Sequence, residues 1–539
     1  MACFSRNEIG KTEKGRAKMN LSDLLAWSAR QWPKKEFLVE VDIENKHRRS
    51  LTFGQFDHRV NQLAHALLEA GVRKGDRVLH FMKNRIEWME SYFAIIRIGA
   101  VVVPLNFRFT GSDLQYVLSI VDPALMIVES DLLHIIEPLR SSLRRPTACI
   151  CVGDVVPDGM LRYEEFMGQH STRQPEISLS QEDPLGIYFT SGTTGVPKAI
   201  LFTHRSLYTT AVSNGFTIPL PPDHNTVMYC PLYHTATFFF WLPCLFSGGR
   251  GTFLLKFGLE ALLQTMEREK GTEVYIAMPH CIEFINAIDR GDLRLKDYDL
   301  SSWRLITTGA QPHSPKVLHD LARVFPNVGI QHGFGISEGG GATLTLLPPH
   351  ELLAKPGSVG KPSVLVDARV VDPKGCDVKP GEKGELIIRT ERMMKEYYQN
   401  PKATAEAIRE GWLHTGDIAT LDEDGYLFVV DRKKDVVISG GENIYPAEVE
   451  NVLLTHPAIL EAAVIGTPDE KWGERVTAVV KLKPGLELRE QDLLDWCKQH
   501  FPSYKCPRRI EFADLPKSPT NKVLKGELRL KYGGRKEAF

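Results

Sequence analysis

The sequence predicts an α/β protein, with a large N-terminal domain of parallel-rich sheets flanked by helices, a small β region, and a small α+β C-terminal domain. Three observations carry this expectation. The chain has 539 residues, too many for one hydrophobic core. Helix and strand patterns alternate through its first part, which implies parallel strands joined by helical crossovers. From about Pro373 the texture changes to short β segments and turns, and beyond the charged run Asp431-Arg-Lys-Lys-Asp435 the tail has elements of its own.

The elements follow in order. Val60, Leu63, Ala64, Leu67 and Leu68 share one helical face, and Gly71 stands where that helix closes. Residues 78–81 read as a strand. Ser112-Asp-Leu-Gln115 reads as a capping box opening a short helix, and strand-like 124–128 follows. Further on, the apolar runs 186–189 and 199–202 read as two strands. After Pro373, turns at Gly375, Pro380, Gly381, Lys383 and Gly384 surround the β segments 385–389 and 426–430. The tail carries a helix over 446–454, strands over 462–465 and 476–482, and a second helix over 490–499. The expected boundary lies at 431–434, dividing a large domain, 19–431, from a small one, 432–539.

Composition excludes several classes of function. Hydrophobic residues make up 43% and charged residues 25%, as in soluble globular proteins, and the net charge of −1 gives no global attraction to nucleic acid or an acidic membrane. The longest apolar stretch, 238–246, is too short for a membrane span and contains Pro243, so stable membrane insertion is not expected. Residues 1–18 lack the apolar segment of a secretory signal and read as a disordered leader. The nine cysteines are scattered without a CxxC pair, which suits a reducing compartment and no structural zinc. The ending Glu537-Ala-Phe539 is not a peroxisomal signal, and the cytoplasm is the expected location.

The most informative stretch is Tyr188-Phe-Thr-Ser-Gly-Thr-Thr-Gly-Val-Pro-Lys198. The hydroxyls of Thr190, Ser191, Thr193 and Thr194 are interrupted by Gly192 and Gly195, and the run ends in Lys198. Glycines allow successive backbone N–H groups to turn into one concavity for anionic oxygens, and Lys198 adds a mobile positive charge. This is not the common phosphate loop, which needs four residues between its glycines and a helix directly behind. Here two residues separate the glycines, Pro197 disfavours helix at Val196, and strands flank both sides. A polyphosphate suits this segment better than a bland surface loop does.

Further signatures follow in order: Pro231-Leu-Tyr-His234, Thr308-Gly-Ala-Gln311, Gly333-Phe-Gly-Ile-Ser-Glu338, His414-Thr-Gly-Asp417, Asp431-Arg432 through Gly441-Glu442-Asn443, and Leu515-Pro-Lys-Ser-Pro-Thr-Asn-Lys522. With this set the chain resembles the AMP-forming acyl-CoA synthetases of the adenylate-forming superfamily, from about Leu21 to Leu530. The resemblance implies an acyl adenylate made from a carboxylic acid and MgATP, then acyl transfer to the thiol of coenzyme A by way of a mobile small domain. It implies that residues 190–198 hold the β and γ phosphates, that Glu338 and Thr193 serve Mg²⁺, and that Ser337 offers a hydroxyl to the α-phosphate. Thr is usual at that position. Asp417 and Arg432 would meet the ribose, Gly309, Ala310 and Gln311 would line the adenine, and Phe334, between Gly333 and Gly335, would stack on adenine or acyl group. Lys522 would bridge the carboxylate and α-phosphate oxygens; Asn521 replaces the usual Gly before it, and Asn tolerates positive φ.

For the thioester step, the resemblance implies that Ser439, Gly440 and Gly441 leave room for the pantetheine arm, that Trp472 and Lys505 touch coenzyme A, and that Lys434 is the hinge. The aromatic run after His234 would line the acyl pocket, with Phe238 and Trp241 its named members and Phe239 an alternative. Such rings favour a fatty or aryl monocarboxylic acid, and no Arg or Lys in the run is available to pair a second carboxylate. A consecutive run cannot all face one cavity, so one or two rings are expected there. Two other readings stay open: an enzyme loading a carrier protein, and a non-catalytic nucleotide-binding protein, although the latter would be expected to lack Lys522 or Glu338. A homodimer is also left open.

Overall fold

The structure, a computed structural model, describes residues 19–142, 148–190, 197–218, 220–309, 315–517 and 523–533. Local sequence explains its elements well. The helix Phe53–Glu69 opens on a Thr52/Gln55 capping box and buries Val60, Leu63, Ala64 and Leu67. It closes as Gly71 enters positive φ (+89°), with the Gly71 N–H on Leu68 O at 3.1 Å and the Val72 N–H on Leu67 O at 3.0 Å. Both orphaned carbonyls are thereby satisfied. The helix Gly111–Val121 departs from expectation. Its N-cap is Thr110, boxed with Asp113, so it begins earlier than the predicted Ser112/Gln115 pair. Ser112 and Asp113 fall inside the first turn, where the shorter Asp side chain reaches back to the Thr110 N–H at 2.8 Å.

Two large sheets dominate. The eight-stranded sheet runs Glu396–Tyr397, Lys198–Thr203, Pro184–Thr190, Val101–Pro104, Arg77–Phe81, Leu125–Glu129, Ala148–Val152, Leu161–Arg162. Its first two pairings are antiparallel and the rest parallel. The nine-stranded sheet runs Lys361–Pro362, Gly341–Leu347, Gly329–Ile336, Leu305–Gly309, Glu273–Tyr275, Asn225–Met228, Arg250–Leu254, Glu36–Asp42, His47–Thr52. It is parallel from Gly329–Ile336 through Glu36–Asp42 and antiparallel at both ends.

Buried residues of helices Leu21–Gln31, Ile86–Arg97, His204–Thr217 and Phe238–Ser247 join residues from both sheets in one core. Its centre is aromatic, with Trp241 edge-on to Tyr92, Phe93 and Phe238. A smaller antiparallel sheet follows, Asp367–Val371, Gly384–Arg389, Trp412–Leu421 and Ile408–Arg409, with Leu427–Arg432 beside Trp412–Leu421. The strands of the last sheet come wholly from the tail: Glu442–Ile444, Val437–Ser439, Gly473–Leu482, Ile459–Asp469 and Arg509–Phe512. Val449, Leu453, Leu493 and Cys497 pack on it as a separate core. Among the described residues, no helix is long and apolar enough to cross a membrane.

Candidate active site

The glycine- and hydroxyl-rich segment falls between two antiparallel strands, as its flanking apolar runs predict. Thr190 and Lys198 are register partners at the end of that pairing. Ser191, Gly192, Thr193, Thr194 and Gly195 lie outside the described residues. Lys198 places its Nζ 4.7 Å from the centre of the Tyr397 ring.

Tyr397 joins Lys198 to Glu338. Its strand pairs with Lys198–Thr203, and its hydroxyl donates to Glu338 Oε1 at 2.8 Å. Burial and the neighbouring carboxylate push the Tyr397 hydroxyl far above its ordinary range, so it stays a donor at every working pH. Glu338 sits in a single 3₁₀ turn, Ser337–Gly339, and its carbonyl accepts from the Met394 N–H at 2.7 Å. Next to it, Ser337 Oγ accepts from Thr235 Oγ1 at 2.9 Å. Thr235 follows His234, whose Nδ1 accepts the Ala236 N–H at 3.1 Å. Burial lowers the His234 pKa and keeps the ring neutral, so its proton resides on Nε2.

Gly309 and Gly333 are register partners near the carboxyl ends of neighbouring parallel strands. A Cβ on Gly309 would lie 2.3 Å from Gly333 O, so only glycine permits this approach. The carboxyl ends of parallel strands are where open α/β sheets receive ligands. Phe334 and Gly335 continue that strand, half-buried, while Ala310 and Gln311 lie outside the described residues. On the small antiparallel sheet, Asp417 and Arg432 face each other across two strands. Asp417 is 2% exposed and its Oδ1 is 2.8 Å from Arg432 Nε.

The aromatic run is wholly buried. Phe238 packs on Tyr188 and Phe202, and Trp241 on Tyr92 and Phe93, both core surroundings. Phe239 and Phe240 contact each other. Phe240 is the ring that leads toward the strand ends, through Tyr275, whose hydroxyl donates to Gly309 O at 3.1 Å.

In the small domain, Gly440 meets Trp472, while Ser439 is the register partner of Gly473 and a Cβ on Gly441 would stand in open space. The Gly440 N–H donates to Trp472 O at 2.9 Å, and a Cβ on Gly440 would lie 2.8 Å from the indole. Arg508 covers the same ring at 4.6 Å. Lys505 engages Glu448 Oε2 at 2.5 Å, and Lys383 takes the other carboxylate oxygen at 2.6 Å. Lys434 lies exposed in the turn Lys433–Asp435. Lys522 lies outside the described residues; its flanks are the bridged pair Lys517 and Val523 and the helix Lys525–Gly533. Sequence reasoning missed Thr235 and Tyr397, whose partners lie 102 and 59 residues away. For Thr235 the available signal was its place next to His234 in the Pro231-Leu-Tyr-His234 signature; Tyr397 lay in none of the signatures.

Segments scattered over the chain thus assemble around Glu338 and the strand-end glycines, as in an enzyme that activates a carboxylate with a nucleotide. The chain belongs to the AMP-binding enzyme family, as an AMP-forming acid–thiol ligase: the family model matches residues 25–398, and that of the AMP-binding enzyme C-terminal domain matches 448–522. A feruloyl-CoA synthase of Amycolatopsis sp. is 37% identical over 490 residues, covering 90% of this chain and 94% of the relative. A long-chain-fatty-acid–CoA ligase of Mycobacterium tuberculosis is 31% identical over 514 residues, covering 94% and 98%. Among solved structures, ATP-bound MatB from Rhodopseudomonas palustris superposes with a TM-score of 0.84 at 26% identity, covering 96% of this chain and 99% of that one.

Proposed function

We propose that this acyl-CoA ligase acts on an apolar monocarboxylic acid, fatty or aryl, forming its adenylate with ATP and then its coenzyme A thioester. The observation that carries the reading is the convergence on Glu338. Tyr397 holds its carboxylate, Lys198 stands over the Tyr397 ring, and Thr235 of the aromatic acyl segment bonds the adjacent Ser337. Phosphate-holding, metal-holding and acid-holding segments thereby meet at one place. Asp417 and Arg432 take the ribose, and the Gly309–Gly333 approach takes the base. Residues 190–198 take the β and γ phosphates, and Ser337 and Lys522 act on the α-phosphate.

Mg²⁺ fits the same reading. Among the described residues no cluster of three or more His, Cys, Asp or Glu is placed to hold an ion. Mg²⁺ is commonly held by one or two carboxylates together with nucleotide phosphates. Glu338 would be that carboxylate, with Thr193 beside it. When bound, the ion neutralises phosphate charge. Tyr397 then orients the carboxylate. Tyr397→Phe removes one hydrogen bond to a charged group and keeps the ring under Lys198. Adenylate formation should fall about 10- to 100-fold, matching roughly 1.5–3 kcal/mol, and calorimetry should show weaker ATP binding in Mg²⁺ with little change in EDTA. Equal effects with and without the ion would remove Tyr397 from this role.

Coenzyme A is preferred over a carrier protein as acceptor because the segment Gly440-Gly441-Glu442-Asn443 keeps small residues beside which a pantetheine arm can pass, with Gly440 against Trp472. Pyrophosphate release that depends on an added acid, followed by coenzyme A consumption, tests the assignment; release without thiol consumption would favour the carrier reading. The domain boundary is placed at 431–434 with Lys434 as hinge, in the exposed turn between the third and fourth sheets. Lys434→Pro fixes φ and should trap one domain arrangement. The adenylate is then expected to form while the thioester appears far more slowly. Equal slowing of both half-reactions would exclude a hinge here.

A further inference from the structure

The Ser337 hydroxyl is gripped from one side only. Its Oγ accepts from Thr235 Oγ1 at 2.9 Å, a residue 102 positions earlier in the chain. A hydroxyl has one hydrogen to give and two lone pairs to fill, and Thr235 fills one of the pairs. The hydrogen on Ser337 Oγ meets no acceptor among the described residues. Exposure tells the two sides apart. Thr235 is 5% exposed and approaches from the protein interior, whereas residues 334–338 are all partly open. With its inner lone pair taken, Ser337 has its hydrogen left for an acceptor arriving at the open side.

Thr235 is itself held on several sides. It opens the 3₁₀ turn Thr235–Thr237, in which Thr237 Oγ1 donates to His234 O at 2.8 Å and the Ala236 N–H donates to His234 Nδ1 at 3.1 Å. Its carbonyl seats against Gly341, where a Cβ would lie 2.5 Å from Thr235 O. Gly341 also takes φ +104°, so both its backbone angle and this close approach require glycine. Two contacts therefore join the same pair of segments on either side of Gly339 and Gly340. One is hydroxyl on hydroxyl at Ser337, the other carbonyl on backbone at Gly341. Such a clamp matters for a serine. Without a β-branch its χ1 has several staggered wells open to it, and the hydroxyl hydrogen rotates freely until a partner fixes it.

The geometry points to Thr235 as a positioning residue that holds the Ser337 hydroxyl in one rotamer and leaves its hydrogen to be donated to the α-phosphate. This rests on the reading above, in which Ser337 acts on that phosphate, and deepens it. Thr235 touches no substrate; it acts through Ser337. A donor aligned in advance needs no reorganisation as negative charge builds on the phosphate oxygens, which is where such alignment contributes most. The turn that aligns it is the one that begins the aromatic acyl segment, so the α-phosphate donor and the wall of the acid site are set by one piece of backbone.

The test uses the full chain, with pyrophosphate release on the fastest acid of a panel of straight-chain and arylpropenoic acids. Thr235→Val keeps the shape and removes the donor. It should lower the kcat of adenylation about 10-fold, as for one neutral hydrogen bond lost, with the KM values for ATP and acid nearly unchanged. Thioester formation from preformed acyl adenylate and coenzyme A should keep its rate. Thr235→Ser keeps the donor and should restore adenylation. The double-mutant cycle with Ser337→Ala is decisive. Thr235→Val should add nothing once the Ser337 hydroxyl is gone, and Ser337→Thr, whose β-branch fixes χ1 unaided, should rescue Thr235→Val. If thermal melting shows Thr235→Val to be unstable, Thr235→Ala takes its place with the same expected pattern. The proposal is overturned by a folded variant that adenylates at the wild-type rate, by equal slowing of both half-reactions, or by an effect of Thr235→Val that persists in full beside Ser337→Ala. A Ser337→Ala enzyme with undiminished adenylation overturns the α-phosphate reading itself.

Discussion

Lys522→Ala is expected to slow acyl-adenylate formation by about 10²- to 10³-fold, the usual cost of losing one preorganised charge donor at a developing anion. Attack of a carboxylate on the α-phosphate brings two anions together, so that barrier is chiefly electrostatic. Thioester formation poses a different problem. If Lys522 acts at the α-phosphate, as proposed, it must give way when the small domain turns to let the thiol reach the adenylate carbonyl. Given preformed acyl adenylate and coenzyme A, the variant should therefore make thioester at close to the wild-type rate. Stability should change little, because the flanks of Lys522 are anchored independently of it. Lys517 pairs with Glu461 at 2.5 Å and bridges to Val523, while Lys525 and Arg529 bind Glu450 and Asp435 at 2.7 and 2.6 Å. Measuring the half-reactions separately decides the matter. A variant equally crippled in both would place Lys522 in a structural role or at coenzyme A.

What could be read in advance was whatever local sequence determines. The helix Phe53–Glu69 follows from its apolar spacing and Gly71, and the strands on either side of the 190–198 segment follow from apolar runs broken by turn residues. The order of motifs carried the family assignment because each motif is short-range. Capping was less secure. Thr110 won over Ser112 because its side chain and that of Asp113 satisfy each other, while Ser112 and Gln115 offer the same pattern two residues later. The aromatic run shows the limit of periodicity. Four consecutive rings are all apolar, and only packing reveals that Trp241 meets Tyr92 and Phe93 while Phe240 turns to Tyr275. Tyr397 and the Lys383–Glu448–Lys505 bridge were illegible for the same reason. Their meaning lies in partners tens of residues away, chosen by the tertiary fold, and a lone Tyr or Lys carries no mark of its partner.

Asp417→Ala should raise the ATP requirement strongly while leaving binding of the acid nearly intact. The carboxylate is 2% exposed, its backbone N–H is tied to Thr415 Oγ1 at 3.0 Å, and Arg432 Nε holds Oδ1 at 2.8 Å from the neighbouring strand. A carboxylate positioned in this way can accept from both ribose hydroxyls, and losing two charge-assisted hydrogen bonds predicts about 2–4 kcal/mol. That corresponds to an increase in the KM for ATP of roughly 30- to 1,000-fold. Part of the change could come through Arg432, which loses its carboxylate partner but, with its side chain 31% exposed, can turn to water. A double-mutant cycle separates the two contributions. If Arg432 only orients Asp417, Arg432→Ala should be harmful in the wild type and nearly silent in Asp417→Ala. If both residues touch the ribose, their effects on the KM should accumulate. Deoxyadenosine triphosphates give an independent readout, because the 2′- and 3′-deoxy nucleotides each remove one hydroxyl that donates to the carboxylate and should be discriminated by the wild type but not by Asp417→Ala. An Asp417→Ala enzyme with unchanged KM for ATP, normal kcat and undiminished discrimination against the deoxy nucleotides would place the ribose elsewhere and leave the Asp417–Arg432 pair as a clamp between two strands.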